Sequence, residues 1–267
     1  MDIHAATLRP GWEQRAIVRH RGTHSQTVTD KVAEEVPVAL VFNGISHAVM
    51  MATPRDLEEL ALGFALTEGI VGSAAEVYEL EAHLLPAAAE VQLTIGQGAF
   101  MALKEKRRSL AGRTGCGVCG IESLALLDLE PEPMPPGVLP DPLAPAIMRA
   151  ARELSRHQVL MCKTGGAHAA AWCGIDGAIL QVFEDVGRHN AMDKLIGHLA
   201  AQRVDLRGGF VFMSSRASYE LARKAARMQI PLLATISAPT SLAIDIARQA
   251  GLKLVSFCRE DGFVEYC

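Results

Sequence analysis

Residues 209–262 read GFVFMSSRASYELARKAARMQIPLLATISAPTSLAIDIARQAGLKLVSFCREDG. Three short apolar runs stand in this stretch, GFVFM, PLLATI and LKLVSF, and such runs are typical of strands that are buried on both faces of a sheet. Apolar residues recur at helical spacing between the runs, at Leu221, Ala225 and Met228 and again from Ala243 to Ala250. The alternation predicts a βαβαβ unit with a largely parallel sheet.

Polar residues follow each of these strands, and they also follow an earlier strand candidate, AILQVF at 178–183. In parallel α/β sheets ligands bind outside the carboxyl ends of the strands, and three of the four junctions also open a helix whose free N–H groups attract anions. We therefore expect a ligand site at this edge, with an anionic nucleotide favoured. The candidate donors are Arg188, His189, Asn190, Ser214, Ser215, Arg216, Ser237, Thr240, Ser241 and Arg259.

Helix capping is the competing explanation for these polar junctions, because Ser, Thr and Asn favour the turn before a helix. Capping explains Ser214 and Ser237, but it does not call for Arg188, His189 or Arg216, so the pattern favours a ligand site. The segment KTGGAHAAAW, residues 163–172, adds two glycines that allow close backbone approach or a tight turn. We place His168 of this segment in the same pocket.

The first half of the chain predicts a small α+β domain. VPVALVFNG and ISHAVMMAT are expected to pair as strands, and VYELEAHLL and AEVQLTIG are further strand candidates. Between them, TPRDLEELALGFALTEG predicts a helix with Thr53 as its N-cap, Pro54 at its first position and Gly69 as its stop.

A proline-rich stretch divides the chain. Residues 131–145 read PEPMPPGVLPDPLAP and hold seven of the 13 prolines, which exclude a helix and a paired strand interior. We therefore predict an N-terminal domain at 1–130, a linker at 131–145 and an α/β domain at 146–267.

Composition excludes several classes of protein. The chain has 267 residues, 49% of them hydrophobic, which predicts a globular protein with a sizeable core. Its formal net charge of -4 makes a nucleic-acid partner unfavourable. The first residues contain no apolar signal segment, and no later stretch has 18 apolar residues in a row, so we expect a cytoplasmic protein without a membrane partner.

A cysteine pair lies in RTGCGVCGIES, residues 113–123, where glycines flank Cys116 and Cys119. Such a pair suits a dithiol–disulfide cycle, half of a zinc site or a persulfide carrier, and it also suits an unreactive glycine-rich turn. Zinc is poorly supported, because the other four cysteines form no second CxxC; these are Cys162, Cys173, Cys258 and Cys267. Arg113 and the glycine backbone favour a reactive, exposed thiolate.

Taken together, several blocks resemble the FdhD family, the formate dehydrogenase accessory sulfurtransferases. They are RTGCGVCGIESL, KTGGAHAAAW, VFEDVGRHNAMDKLIG, SSRASYELARKAARMQIPLL, SAPTSLAIDIA and LVSFCREDGFVEY, and the resemblance runs from about Val36 to the end. It implies a protein that accepts sulfur from a cysteine desulfurase as a persulfide. The sulfur then passes to the molybdenum cofactor, bis(molybdopterin guanine dinucleotide), before the catalytic subunit of formate dehydrogenase takes that cofactor up.

The resemblance also assigns residues. It places the persulfide on Cys116, with Cys119 beside it, and it places cofactor binding on Phe257, Cys258, Arg259, Glu260, Asp261 and Gly262. The guanine-nucleotide part of the cofactor is an expected partner, and which side chains contact the guanine stays open. To this segment we add His168, Arg188, His189, Asn190, Ser214, Arg216 and Ser237 from the strand-end pattern. The implied fold is a cytidine-deaminase-like three-layer α/β domain behind the small N-terminal domain. The deaminase zinc signature is missing, so no zinc is expected.

Two other functions stay open at this point. A binding-only chaperone would hold the molybdenum cofactor without carrying sulfur, and a dithiol oxidoreductase would use Cys116 and Cys119 equally. We expect a homodimer, since two-fold dimers are the commonest soluble assemblies.

Overall fold

The structure is a computed structural model that describes residues 9–110 and 131–267. Within these ranges the strands are β1 (Trp12–Arg21), β2 (His24–Ala33), β3 (Val36–Phe42), β4 (Ile45–Ala52), β5 (Val77–Leu84), β6 (Ala89–Ile95), β7 (His168–Gly174), β8 (Ile179–Asp185), β9 (Gly209–Met213), β10 (Leu232–Thr235), β11 (Lys253–Ser256) and β12 (Val264–Glu265). The helices are α1 (Leu57–Thr67), α2 (Gln97–Leu110), α3 (Leu143–His157), α4 (Val159–Thr164), α5 (Arg188–Ala201), α6 (Tyr219–Arg227) and α7 (Ser241–Ala250), with a short 3₁₀ turn at Ala74–Glu76. None of these helices is long and apolar enough to cross a bilayer.

The larger sheet has six strands in the order β12-β11-β10-β9-β7-β8. Strands β9, β10 and β11 are parallel neighbours, and helices α6 and α7 connect them, which confirms the predicted βαβαβ unit. Strand β7 runs antiparallel to both of its neighbours and β12 runs antiparallel to β11. Four of the six strands, β8 to β11, therefore point in one direction.

Helices cover both faces of this sheet and make three layers. Alternate residues of β9 point to opposite faces, so that Phe210 and Phe212 pack against α3, while Val211 and Met213 lie in the core shared with α5, α6 and α7. This alternation explains why GFVFM is apolar at every position, since neither face of β9 meets water.

The N-terminal half contributes a second sheet in the order β4-β3-β6-β5. Strands β3 and β4 pair antiparallel, as the sequence predicts, and β6 runs parallel to β3. The inner face carries Val38, Leu40 and Phe42, all fully buried, in one hydrophobic cluster with α1 and with the helices of the larger sheet. One core therefore runs through both halves of the chain, while the division into two domains stays a prediction.

Helix α1 packs directly on helix α5, and glycines make the approach possible. A Cβ atom on Gly63 would collide with the Asp193 carbonyl, and a Cβ atom on Gly197 would collide with the Glu59 carbonyl. The two backbones are therefore in contact at the middle of α1, where no larger residue fits.

The start of α1 differs from the prediction. Thr53 is not the N-cap, because the helix begins at Leu57 and the cap residue is Asp56, which has a left-handed φ of 52°. Thr53 is fully buried, and its hydroxyl accepts a hydrogen bond from the Val186 N–H at 3.2 Å. A polar contact more than a hundred residues away in the chain has replaced the local cap. Gly69 ends the helix region at a φ of 64°, as the sequence indicates.

Two segments were not predicted as they stand. Strands β1 and β2 form a hairpin that pairs from Trp12 and Ala33 at its base to Arg21 and His24 at its tip. Most of its residues are exposed on both faces, so no alternation of apolar and polar residues marks it in the sequence. Strand β7, which begins at His168, was likewise not predicted as a strand.

The proline-rich segment 131–142 has no helix or strand, yet its backbone is hydrogen-bonded to the end of α7 and to the loop before β9. Met134 N–H donates to the Ala250 carbonyl at 2.8 Å, and Val138 N–H donates to the Arg207 carbonyl at 2.9 Å. The Arg207 guanidinium donates in return to the Pro136 carbonyl at 2.7 Å. Helix α3 then begins at Leu143.

Candidate functional site

The strand ends that the sequence singles out meet at one edge of the larger sheet. The Ser214 hydroxyl, just after β9, accepts a hydrogen bond from Ala169 N–H at 2.8 Å, and Ser214 N–H donates to the Ala169 carbonyl at 2.9 Å. Beyond β10, Ser237 N–H donates to the Ser215 carbonyl at 3.3 Å. Because β7 is antiparallel to β9, its first residue, His168, lies at this same edge.

A cavity of about 460 Å³ opens at this edge. Its lining comes from α4 and its two caps, the start of β7 and the residues that follow β9 and β10: Gln158, Met161, Gly165, Gly166, Ala167, His168, Ser214 and Ile236. Gly165 adopts a left-handed φ of 68° as the C-cap of α4, which is why glycine is needed there. With no side chain at 165 and 166, a bound molecule can approach the backbone closely.

His168 is half-buried and lies opposite Asp185 in the antiparallel pair of β7 and β8. Burial lowers its pKa, and the positive charges of Arg188 and His189 lower that pKa further, against an opposing effect of Asp185. The imidazole is therefore neutral near pH 7. We call the group of His168, Arg188 and His189 the basic corner of the sheet edge. A bound anion there would favour the protonated form of His168.

Helix α5 begins beside this histidine. Arg188 and His189 are its first residues, and the N–H groups of a first helical turn have no acceptor within the helix. The buried Nε of Arg188 has no hydrogen-bond acceptor within the part of the chain that the structure describes. His189 Nε2 lies 3.5 Å from a Glu220 carboxylate oxygen. The proximity of this imidazole lowers the pKa of Glu220 to about 2 despite partial burial.

Asn190 faces away from the cavity. It is buried, and its side-chain amide donates to Asp185 Oδ1 and to the Met51 carbonyl, both at 2.8 Å. The amide therefore ties the start of α5 to strand β4 of the N-terminal half.

The segment Phe257–Gly262 follows β11 and forms a tight turn. Arg259 N–H donates to the Gly262 carbonyl at 2.7 Å, and the Arg259 guanidinium donates to the Ile236 and Cys258 carbonyls at 2.6 and 2.8 Å. This arginine thus holds the loop together. Phe257 adopts a left-handed φ of 54°, and its ring is 42% exposed, so the turn presents an aromatic surface.

The remaining candidates of this segment and its neighbours are spread over the same edge. Glu260 and Asp261 are exposed, as are Arg216 and Ser237. Cys258 points into the core, and burial raises the pKa of its thiol to about 12. Its thiolate is therefore not available near neutral pH, and only its backbone faces the turn.

The reactive pair of the prediction, Cys116 and Cys119, lies outside the described residues. Among the other cysteines, burial raises the thiol pKa of Cys173 and of Cys267, while Cys162 in α4 is exposed. In residues 9–110 and 131–267, no group of three His, Cys, Asp or Glu side chains is arranged to hold a metal ion.

Three residues beneath the site were missed in the sequence. Asp185 and Lys194 form a fully buried ion pair of 2.7 Å, and Thr53 joins it from the N-terminal half. A signal was present, since Lys194 stands inside the apolar stripe of Met192, Leu195 and Ile196. A lysine at a core position of a helix needs a buried carboxylate as partner.

Comparisons with known proteins identify the family of this chain. The family model described as the FdhD/NarQ family matches residues 33–267. The chain is 67% identical over 259 residues to the sulfur carrier protein FdhD of Chromobacterium violaceum, which covers 96% of this chain and 95% of that one. It is 63% identical to the sulfur carrier protein FdhD of Burkholderia mallei, over 97% of each chain.

A solved structure shares the fold. The crystal structure described as a formate dehydrogenase accessory protein from Desulfotalea psychrophila superposes with a TM-score of 0.76 at 24% identity, over 96% of this chain and 97% of that one. The α/β fold class is thereby confirmed, while the likeness to cytidine deaminases stays a prediction. On the family match and on these relatives, the chain belongs to the FdhD/NarQ family.

Proposed function

We propose that the chain carries sulfur as a persulfide on Cys116 and passes it to the molybdenum cofactor, bis(molybdopterin guanine dinucleotide), before a formate dehydrogenase takes up that cofactor. The cofactor is the substrate here. Membership of the FdhD/NarQ family and relatives named sulfur carrier proteins support the sulfur-carrying part. The observation that carries the binding part is the cavity lined by Gly165, Gly166 and His168 at the sheet edge. Arg188 starts the adjacent helix α5, and its buried Nε has no hydrogen-bond acceptor among the described residues.

The residues at this edge fit a nucleoside diphosphate. Phosphate oxygens accept hydrogen bonds from a guanidinium group and from the free N–H groups of a helix start, and Arg188 on α5 supplies both. Neutral His168 can donate one hydrogen bond and accept another. The exposed ring of Phe257 offers a face on which a guanine can stack.

The sulfur chemistry itself requires a thiolate and a donor. The Cys116 thiolate attacks the terminal sulfur of the persulfide on a cysteine desulfurase, so that a new S–S bond forms on Cys116, the donor's S–S bond breaks and the donor leaves as a thiolate. This exchange involves no net oxidation.

Delivery to the metal as sulfide consumes two electrons. If the metal centre supplies them, Cys116 returns as a thiolate, and if Cys119 supplies them, a Cys116–Cys119 disulfide remains. The two products distinguish a single working cysteine from a working pair.

Mass spectrometry tests the sulfur-carrying part. After incubation of the full chain with a cysteine desulfurase and cysteine, we expect a gain of about 32 Da on the peptide that contains Cys116. The gain should be absent in Cys116→Ala and retained in Cys162→Ala, which removes an exposed thiol on α4. No gain on the wild type would contradict the persulfide and favour a binding-only chaperone. A disulfide that needs both cysteines would favour the oxidoreductase.

Calorimetry tests the binding part with GDP as the probe. We expect Arg188→Ala to raise the Kd for GDP by about tenfold, because a charged hydrogen bond to phosphate contributes roughly 1.5–3 kcal/mol. Arg203→Ala is the matched control, since this exposed arginine lies just beyond the opposite end of α5. Failure of the wild type to bind GDP would contradict this pocket, whatever the outcome at Cys116.

A further inference from the structure

A buried ion pair lies directly beneath the basic corner of the site. Asp185 ends strand β8 and Lys194 lies on helix α5, and their carboxylate oxygen and ammonium nitrogen are 2.7 Å apart. Neither side chain has any exposed surface. The pair thus spans the turn that leads from the strand into the helix, and Arg188 is the first residue after that turn.

Both oxygens of Asp185 are occupied from several directions. Oδ2 accepts from Thr53 N–H at 2.9 Å and from Lys194, while Oδ1 accepts from Gly187 N–H and from the Asn190 amide, both at 2.8 Å. One carboxylate therefore holds the end of β4, the turn before α5 and the first turn of α5.

Lys194 completes the arrangement on the other side. Its ammonium group also donates to the Thr53 carbonyl at 3.1 Å, and the Thr53 hydroxyl accepts from Val186 N–H. The last residue of β8, Asp185, and the residue after it, Val186, are thus both hydrogen-bonded to Thr53 of the N-terminal half.

A buried ion pair of this kind seldom stabilises a fold more than apolar residues of the same size would, because both charges lose their hydration. What it does provide is orientation, since a fully bonded carboxylate leaves the turn little freedom. Its negative charge also lies close to His168 and partly offsets the effect of Arg188 and His189 on that imidazole.

We infer that Asp185 and Lys194 are positioning residues, which set the start of α5 so that Arg188 and its neighbouring N–H groups lie at the sheet edge near His168. The inference rests on the proposed nucleotide site and assigns this pair no contact with the ligand. Phosphate affinity then depends on a pair that lies wholly inside the protein. Through Thr53 it also depends on the half of the chain that carries the cysteine pair.

The test compares two double substitutions in the full chain. Asp185→Asn with Lys194→Met removes this pair, and Asp193→Asn with Lys224→Met removes a second buried pair, of 2.9 Å, between α5 and α6. Both remove one buried negative and one buried positive charge. We expect both to lower the melting temperature, but only the first to raise the Kd for GDP, on the order of tenfold. The Kd for guanosine should change much less, because it has no phosphate.

Thr53→Val is the second arm, in case the first double variant does not fold. It removes only the hydroxyl that accepts from Val186 N–H, and we expect GDP to bind about threefold more weakly. The inference is overturned if Asp185→Asn with Lys194→Met, or Thr53→Val, binds GDP like the wild type. It is also overturned if the Asp193 and Lys224 variant loses as much affinity. Absence of GDP binding in the wild type would remove the proposed site itself.

Discussion

Two buried lysines hold helix α1, one at each end. Lys194 bonds to Thr53, ahead of the helix, and pairs with one carboxylate, that of Asp185. Lys224 bonds to Thr67 and Glu68, at the end of the helix, and also pairs with Asp193. Both lysines belong to the second half of the chain and reach into the first half.

The difference between the two clusters lies in charge and location. Lys224 faces two carboxylates, whereas Lys194 faces one and lies beneath the basic corner at the sheet edge. Buried charge is therefore used twice to join α1 to the helices that pack on the larger sheet, and only the Lys194 cluster is adjacent to the candidate site. The Lys224 cluster should affect stability alone, while the Lys194 cluster should affect stability and ligand binding.

Substitution of Lys224 by methionine should have the largest effect on stability. The change leaves fully buried Asp193 without its cation, next to Glu68, and loss of one partner of a buried ion pair costs about 3–5 kcal/mol. Urea denaturation measures the free energy of unfolding. Lys194→Met should cost less, because a single carboxylate is left unpaired, and an equal or greater loss would contradict the ranking of the two clusters.

The glycine contact between the two clusters should give the next effect. Gly63→Ala would ordinarily stabilise a helix by about 1 kcal/mol, but here we expect a loss of about 1–3 kcal/mol, because the new Cβ collides with the Asp193 carbonyl. Gly98→Ala in α2 is the control, since nothing lies within 4 Å of its Cβ position. Thermal unfolding of both variants would show opposite signs, and stabilisation by Gly63→Ala would mean that the helices can separate at no cost.

Acid should weaken the Lys224 cluster over a defined pH range. Burial acts to raise the pKa of Glu68, but Lys224 and Arg223 outweigh it and lower that pKa to about 2. A carboxyl whose pKa is lowered by folding contributes stability above its unfolded value of 4.5, and this contribution is lost as the pH falls from 4.5 towards 2. We expect a loss of about 1–3 kcal/mol over this range in the wild type.

The matching variant is Glu68→Gln. Its unfolding free energy should fall less steeply between pH 4.5 and pH 2, in a series of urea denaturation curves at graded pH. Glu220→Gln is the comparison beside the candidate site, because Glu220 lies next to His189 and its pKa is also lowered to about 2. Identical slopes in the wild type and in Glu68→Gln would show that this cluster does not contribute to acid sensitivity.

The smallest expected effect concerns anion binding at the candidate site, next to the Lys194 cluster. Burial, Arg188 and His189 hold the pKa of His168 below its usual 6.5, and Asp185 opposes them. A bound anion favours the protonated imidazole, so affinity should rise as the pH falls through and below 6.5. We expect pyrophosphate to bind about threefold more tightly at about pH 5.5 than at about pH 7.5. Calorimetry with His168→Asn should show a weaker pH dependence, and an unchanged one would exclude His168 as the titrating group.

The βαβαβ unit could be predicted because its strands are buried on both faces. Runs such as GFVFM are short and apolar at every position, which is typical of such strands, and the helices between them carry clear apolar stripes. The placement of Ser214 and Ser237 at the same edge also followed, since the carboxyl ends of parallel strands share one edge. His168 lies at this edge for another reason, because it starts β7, which runs antiparallel to β9. The hairpin of β1 and β2 could not be predicted, because its residues are exposed on both faces and no periodicity marks it.

The roles of individual polar residues were harder to predict. Thr53 stands where a helix cap is expected, and Asn190 stands where a ligand residue is expected. The Thr53 hydroxyl instead accepts a hydrogen bond from Val186 N–H, far away in the chain, and the Asn190 amide donates to the buried carboxylate of Asp185. Arg259 resembles a phosphate ligand, and it holds a turn through two carbonyl groups. A single sequence carries the chemistry of a side chain but not the direction in which it points.

The sequence by itself determined the α/β class, the parallel unit and the family resemblance, because burial pattern and motif are local properties of the chain. Only the tertiary structure decided how the halves are joined. Lys194 and Lys224 each pair with a buried aspartate, and Gly63 and Gly197 allow the backbones of α1 and α5 to come into contact. Such partners come from segments far apart in the chain, and the cost of burying an unpaired charge selects them only once the chain has folded.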